Sequence, residues 1–181
     1  MIFLINIIKT ILLGIIQGIT EWLPISSTGH LILFASIWPI EPAQFFEVFK
    51  VVLQFGSILA VLVLYYQKLN PFDKRKTKTK KKQTLQLWSK VIVGVIPAAV
   101  IGFLFDDIIE GYLSKNFVIA VALITYGIIF ILIEKHQRQE KIRTLEQVDY
   151  FSALKIGFFQ CLALIPGTSR SGATILGGLY C

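Results

Sequence analysis

Apolar residues fall along this chain in long blocks cut by short polar ones, and the lengths of those blocks predict its elements. A helix rising about 1.5 Å per residue needs about 20 apolar residues to cross the hydrocarbon core of a bilayer. Residues 45–66, 87–105 and 117–133 meet that requirement and predict three transmembrane helices. Lysine-rich residues 67–90 follow the first, Asp106, Asp107 and Glu110 follow the second, and Lys135, Arg138, Lys141 and Arg143 follow the third. Basic loops stay on the cytoplasmic side, so this basic, acidic, basic order predicts loops lying inside, outside and inside.

Two further apolar regions are interrupted, and they resemble each other. Residues 14–29 read GIIQGITEWLPISSTG and residues 157–172 read GFFQCLALIPGTSRSG. Each runs Gly-x-x-Gln, apolar residues, Pro, a hydroxyl cluster and Gly, with one gap before the proline. Proline has no N–H and disfavours helix in the residue before it, so each stretch predicts helix, break, loop, helix. At membrane depth such a break is tolerated only where protein or water satisfies the freed backbone groups.

Residues 1–39 and 150–181 therefore read as two re-entrant hairpins. The three crossings between them would put their mouths on opposite faces, the arrangement of an inverted repeat. The expected fold class is an all-α integral membrane protein, a single domain over residues 1–181 with residues 67–86 as a basic cytoplasmic loop. If each half is a hairpin plus three spans, the closing helices of the second repeat are missing and the chain reads as truncated.

Composition agrees with this class: of 181 residues, 55% are hydrophobic and 16% charged, and the mean hydropathy is +0.69. The first apolar stretch has no basic leader and runs into Gln17 and Glu21 rather than a cleavage site, so no removable signal peptide is expected. Cys161 and Cys181 have neither a disulfide framework nor metal-type spacing. Lys68, Lys74, Arg75, Lys76, Lys78, Lys80, Lys81, Lys82 and Lys90 make up half of the 18 basic residues. Between two apolar helices this run reads as an inside loop touching anionic headgroups rather than a nucleic-acid tail, and no nucleic-acid partner is expected.

Polar groups inside apolar sequence carry the chemistry, because unpaired burial in hydrocarbon is costly and such residues mark functional sites. Gln17 and Glu21 are four apart and share one helix face, suited to holding a cation or a water together. A hard cation such as Mg2+ takes oxygen ligands and divides itself between a carboxylate and substrate phosphates. The alternative for Glu21 is a helix-end carboxylate at the membrane surface.

Ser26, Ser27 and Thr28 stand at the start of a helix with His30 one turn on, an anion site with a base beside it. An ordinary N-cap is the other reading of these hydroxyls, Thr28 above all. His136, in a charged loop, reads as solvated. In the second loop Pro166-Gly167-Thr168-Ser169-Arg170-Ser171-Gly172 sets one guanidinium among hydroxyls and glycines. Its planar fork can hold phosphate oxygens while the glycines let backbone N–H groups approach the same ligand. A structural bridge from Arg170 to Glu21 is the alternative.

At these residues the chain resembles the bacterial undecaprenyl-diphosphatase family, membrane phosphatases associated with bacitracin resistance. QGITEWLPISSTGH at 17–30 is similar to the family's (E/Q)xxxE element and the PxSSTGH that follows it, and PGTSRSGAT at 166–174 to its second motif. The resemblance covers essentially the whole chain but about the first two thirds of a usual member. It implies hydrolysis of undecaprenyl diphosphate to the monophosphate in the bacterial cytoplasmic membrane by a multi-pass protein, recycling the carrier lipid for cell-wall synthesis.

The same resemblance implies catalytic roles for Glu21, Ser27, His30 and Arg170. Glu21 with Gln17 would hold Mg2+ or Ca2+ and position water, Ser27 would be the nucleophile with Ser26 assisting, and His30 the acid/base. Arg170 would clamp the diphosphate, with Thr28, Gly167, Thr168, Ser169 and Ser171 in substrate binding. Other members can carry Glu at the position of Gln17, so a two-carboxylate metal site is not implied here. A homodimer is left open. Against the type 2 phosphatidic acid phosphatases, Thr28-Gly29-His30 gives a partial echo and no second catalytic-type His follows. A lipid or anion transporter of the inverted-repeat type, with Arg170 as its anion site, is the alternative from another class, and an inactive fragment is a third.

Overall fold

The computed structural model describes residues 2–113, 115–135, 142 and 144–181. His136, Arg138, Lys141 and Arg143, read above as loop residues, lie outside the described residues. Helices α1 (Ile2–Thr20), α2 (Ser27–Ile37), α3 (Ala43–Leu64), a single turn α4 (Tyr66–Leu69), α5 (Lys78–Ile108), α6 (Asn116–Lys135), α7 (Tyr150–Gln160) and α8 (Arg170–Leu179) account for most of the chain. Among the described residues there is no strand.

Three of these helices, α3, α5 and α6, are long and apolar enough to cross a membrane. Their outward faces carry large apolar side chains, with Val63 75%, Phe103 88% and Phe117 79% exposed. Exposure on this scale has no reward in water and is what a lipid solvent selects, so the chain is a helical membrane protein. The basic segment departs from the expected loop. Residues 78–86 are the first turns of α5, where Thr77 accepts the Lys80 N–H at 3.3 Å as N-cap. Lys, Gln and Leu are good helix formers, and hydropathy measures how long a helix stays apolar rather than how long it is.

The two interrupted regions form helix–elbow–helix units, with Pro24 and Pro166 at the breaks. In the first, α1 packs on α2 and on α3 around buried Leu13, Leu31 and Ile40. In the second, α7 packs on α8 with a 3-10 turn (Cys161–Leu164) before the elbow. Its core is Ala173 and Leu176 with Tyr126 of α6.

Helix α6 touches both units along one stripe. A Cβ on Gly29 of the first elbow would lie 3.1 Å from Leu123. A Cβ on Gly167 of the second would lie 2.7 Å from the Ile119 carbonyl, and one on Gly172 2.8 Å from Tyr126 and 2.9 Å from Phe130. Positions 119, 123, 126 and 130 recur at helical spacing, so one face of α6 is the post against which both elbows rest.

Helices α5 and α7 cross at backbone contact. A Cβ on Gly94 would stand 3.2 Å from the Ala153 carbonyl, and one on Gly157 would collide with the Gly94 carbonyl. Small residues at such a crossing let helices approach without side chains between them. Gly157→Leu is expected to force the crossing apart and destabilise the protein by about 3 kcal/mol, the upper end of the usual cost of overpacking. A thermal midpoint in detergent equal to that of the native chain would contradict this packing.

Candidate active site

Helix α1 ends at Thr20, and Glu21 is held at its end by its own N–H donating to the Gln17 carbonyl at 2.9 Å. Four residues back along the same face, the Gln17 Nε2 donates to Glu21 Oε2 at 2.9 Å. The Ser27 hydroxyl donates a short hydrogen bond to that same oxygen. Gln17 is 1% exposed and its Oε1 is buried without a partner. The carboxylate thus accepts from both sides of the elbow, and hydrogen bonds to an ionised acceptor are the stronger kind.

What aims Ser27 is the turn at Ser26, which adopts φ 65° and ψ 88°, in the left-handed region a non-glycine residue rarely enters. Such a backbone persists only where its surroundings over-determine it. Here the Ser26 Oγ accepts the Gly29 N–H at 3.3 Å, and the Ser26 carbonyl accepts from the His30 N–H at 3.2 Å. The His30 Nδ1 lies 2.8 Å from that carbonyl too. A carbonyl only accepts, so Nδ1 carries its proton there and the ring clamps the elbow.

In the second elbow Gly167 has φ +97° and sits against α6. Gly167→Ala is expected to combine the left-handed penalty with the collision against Ile119, costing about 2–3 kcal/mol. The readout is the melting midpoint, and a midpoint unchanged from the native chain would refute the assignment of this turn. Ser169 caps α8, its Oγ accepting the Gly172 N–H at 3.2 Å while lying 3.0 Å from the Ser171 Oγ. Arg170 is the first residue of α8 and is exposed.

Both elbows line one cavity of about 290 Å³. Glu21, Ser26, Ser27 and Thr28 enter from the first, and Thr168, Ser169, Arg170 and Ser171 from the second. The cavity therefore receives the N-terminal ends of α2 and α8, where the first N–H groups have no intrahelical partner and the dipole is positive. A cation such as Arg170 at that end of a helix is unfavourably placed unless an anion lies between. The expected alternative, a bridge from Arg170 to Glu21, is not formed: no ion pair within 4.0 Å joins them. The guanidinium has no hydrogen-bond partner among the described residues, so its donors are free for a ligand.

Three of the residues singled out in the sequence do not line the cavity. Gln17 stands behind Glu21, Gly167 packs on α6, and His30 holds the Ser26 carbonyl. The proton of Ser27 faces Glu21 rather than His30. Two polar lining residues lie outside the sequence reading: Thr20, whose hydroxyl donates to the Ile16 carbonyl at 2.7 Å, and Gln54 of α3, whose Nε2 donates to the Thr28 Oγ1 at 2.9 Å. Gln54 is an amide inside an apolar span, the same signal that marks Gln17 and Glu21.

Among the described residues no group of three or more His, Cys, Asp and Glu is arranged to hold a metal. The cavity instead offers one carboxylate and several hydroxyl oxygens. That donor set does not make an all-protein cage, but it fits a hard divalent cation that completes its shell with ligand phosphates.

The family described as bacitracin resistance protein BacA matches residues 10–181. This chain belongs to that family. Undecaprenyl-diphosphatase 1 of Clostridioides difficile is 55% identical over 177 residues, covering 97% of this chain and 65% of that protein. The undecaprenyl-diphosphatases of Latilactobacillus sakei and Enterococcus faecalis are each 52% identical, over 96% of this chain and 64% of theirs. The chain thus spans a little under two thirds of the length of these relatives.

Proposed function

We propose that the cavity hydrolyses the phosphoric anhydride of undecaprenyl diphosphate, releasing undecaprenyl phosphate and inorganic phosphate, and so returns the carrier lipid to cell-wall synthesis. The observation that carries this reading is one small cavity shared by a Glu21–Ser27 pair from one elbow and, from the other, Arg170, which has no partner among the described residues. The relatives' names point to the same reaction. A cavity of about 290 Å³ is at the lower end for ligand pockets and suits a diphosphate headgroup, leaving the polyprenyl tail to lipid.

In this mechanism the diphosphate lies between the two helix N-termini, with Arg170 holding its non-bridging oxygens bidentately. Glu21 takes the proton of the attacking oxygen, either the Ser27 hydroxyl bonded to it or a water in its place. The new P–O bond forms at the terminal phosphorus and the bridging P–O bond breaks, with undecaprenyl phosphate as leaving group. An attacking water gives inorganic phosphate directly, whereas attack by Ser27 gives a phosphoserine whose Oγ–P bond a water, deprotonated by Glu21 once its first proton has passed to solvent, then breaks to release inorganic phosphate. Negative charge developing on the bridging and terminal oxygens is stabilised by Arg170 and the free N–H groups of α2 and α8. Glu21 would hold a divalent Mg2+ or Ca2+ ion, which supplies further charge neutralisation when bound. Gln17 orients Glu21, and His30 acts by fixing the Ser26 turn.

In this reading the two helix–elbow–helix units re-enter the bilayer of the bacterial cytoplasmic membrane from opposite faces, as an inverted repeat. The test of function is inorganic phosphate release from undecaprenyl diphosphate by the purified chain in detergent, with divalent cation added and then chelated. Release that stops on chelation is expected. Transport of the lipid without hydrolysis would overturn the enzyme reading in favour of a carrier.

A further inference from the structure

A second cavity, of about 690 Å³, shares no lining residue with the first and lies between α4, the first turns of α5 and the segment before α7. Five cations, Lys68, Arg75, Lys76, Lys80 and Lys90, line it against two carboxylates, Asp73 and Glu146, a surplus of three positive charges. Two of the cations are engaged. Arg75 Nη2 donates to Asp73 Oδ2 at 3.0 Å, which holds the Asp73 carboxyl below the usual carboxylate range. Lys76 Nζ donates to the Lys68 carbonyl at 2.8 Å and to the buried Thr84 hydroxyl at 2.9 Å. Together these two contacts tie α4 to α5 through Lys76 and preform the cavity.

The other three cations have little to hold. Lys68 and Lys80 have no side-chain partner among the described residues, and Lys90 makes one long contact of 3.4 Å to the Glu146 carbonyl. Apolar sequence meets this charge at the same level. Span α3 ends at Leu64, the apolar part of α5 begins near Leu87, and Leu87 and Leu145 are part of the cavity wall. Trp88 follows Leu87 in α5, its indole N–H donating to the Leu69 carbonyl at 2.9 Å. Tryptophan at the end of a span is characteristic of the headgroup level.

We propose that this cavity binds the phosphate headgroup of an anionic phospholipid. Basic pockets between membrane helices take such headgroups, and the volume lies within the range of ligand sites. The leucine wall and Trp88 favour a lipid over free phosphate, because they place the cations where acyl chains begin.

The full chain in neutral detergent, titrated with phosphatidylglycerol or phosphatidylcholine, is read by native mass spectrometry for retained lipid. Phosphatidylglycerol is expected to be retained over phosphatidylcholine. The triple variant K68Q/K80Q/K90Q is expected to bind it on the order of a hundredfold more weakly, while K68R/K80R/K90R binds it as the native chain does. Inorganic phosphate is expected not to displace it. Equal retention of the two lipids by the native chain overturns the proposal whether or not any variant folds. Undiminished retention by the glutamine variant, or displacement of the lipid by inorganic phosphate, also overturns it.

Discussion

Replacing Glu21 by Gln is expected to lower phosphate release from undecaprenyl diphosphate by about three orders of magnitude, the usual scale for loss of a positioned base. The substitution keeps the shape of the side chain and removes its charge. One oxygen of Glu21 accepts from both Gln17 and Ser27, so an amide there weakens two charge-assisted bonds and leaves the attacking oxygen without a proton acceptor. Glu21 is exposed at the cavity wall, so the melting midpoint is expected to move little. The discriminating measurement is kcat under saturating lipid. Full turnover by Glu21→Gln would remove this carboxylate from the chemistry, whichever oxygen attacks.

Arg170→Ala is expected to reduce kcat/KM by about a hundredfold to a thousandfold, the scale seen when a donor to a developing oxyanion is lost. Here the structural cost runs the other way. The guanidinium has no partner among the described residues and stands at the positive end of α8, so its removal relieves an unfavourable charge. A melting midpoint equal to or above that of the native chain should accompany the lost activity. Arg170→Lys is expected to recover part of the loss, because an ammonium supplies charge without the bidentate fork. Unchanged kcat/KM in Arg170→Ala would show that the second elbow does not hold the substrate.

The long spans were legible because membrane thickness imposes a length on apolar sequence. The expected runs 87–105 and 117–133 lie within α5 and α6, and 45–66 follows α3 but runs two residues past its end at Leu64. The elbows were legible because Pro24 and Pro166 each come with a cluster of glycine and hydroxyl residues that favours a loop, whereas Pro97, without such neighbours, is carried inside α5. Hydropathy says nothing about helix beyond the membrane, and so α5 starts in what the charge pattern made a loop.

The site was legible as to residue type but not geometry. Glu21, Ser27 and Arg170 were marked by polarity in apolar surroundings. That α6 is the common post, and that His30 turns toward a carbonyl of its own elbow, depend on long-range packing and on the left-handed Ser26. Neither leaves a spacing signature. Gln54 did leave one, a polar residue in a span, and was passed over because it stands without a motif.

The central claim is that the two elbows enclose one diphosphate together, and cysteine protection tests it most directly. With Cys161 and Cys181 replaced by Ser, Thr28→Cys and Ser171→Cys each place a thiol at the cavity wall, one per elbow. The rate of maleimide labelling is followed as undecaprenyl diphosphate is added. One shared site predicts that both thiols are protected with the same half-saturating lipid concentration. Protection of one thiol while the other labels freely would contradict it.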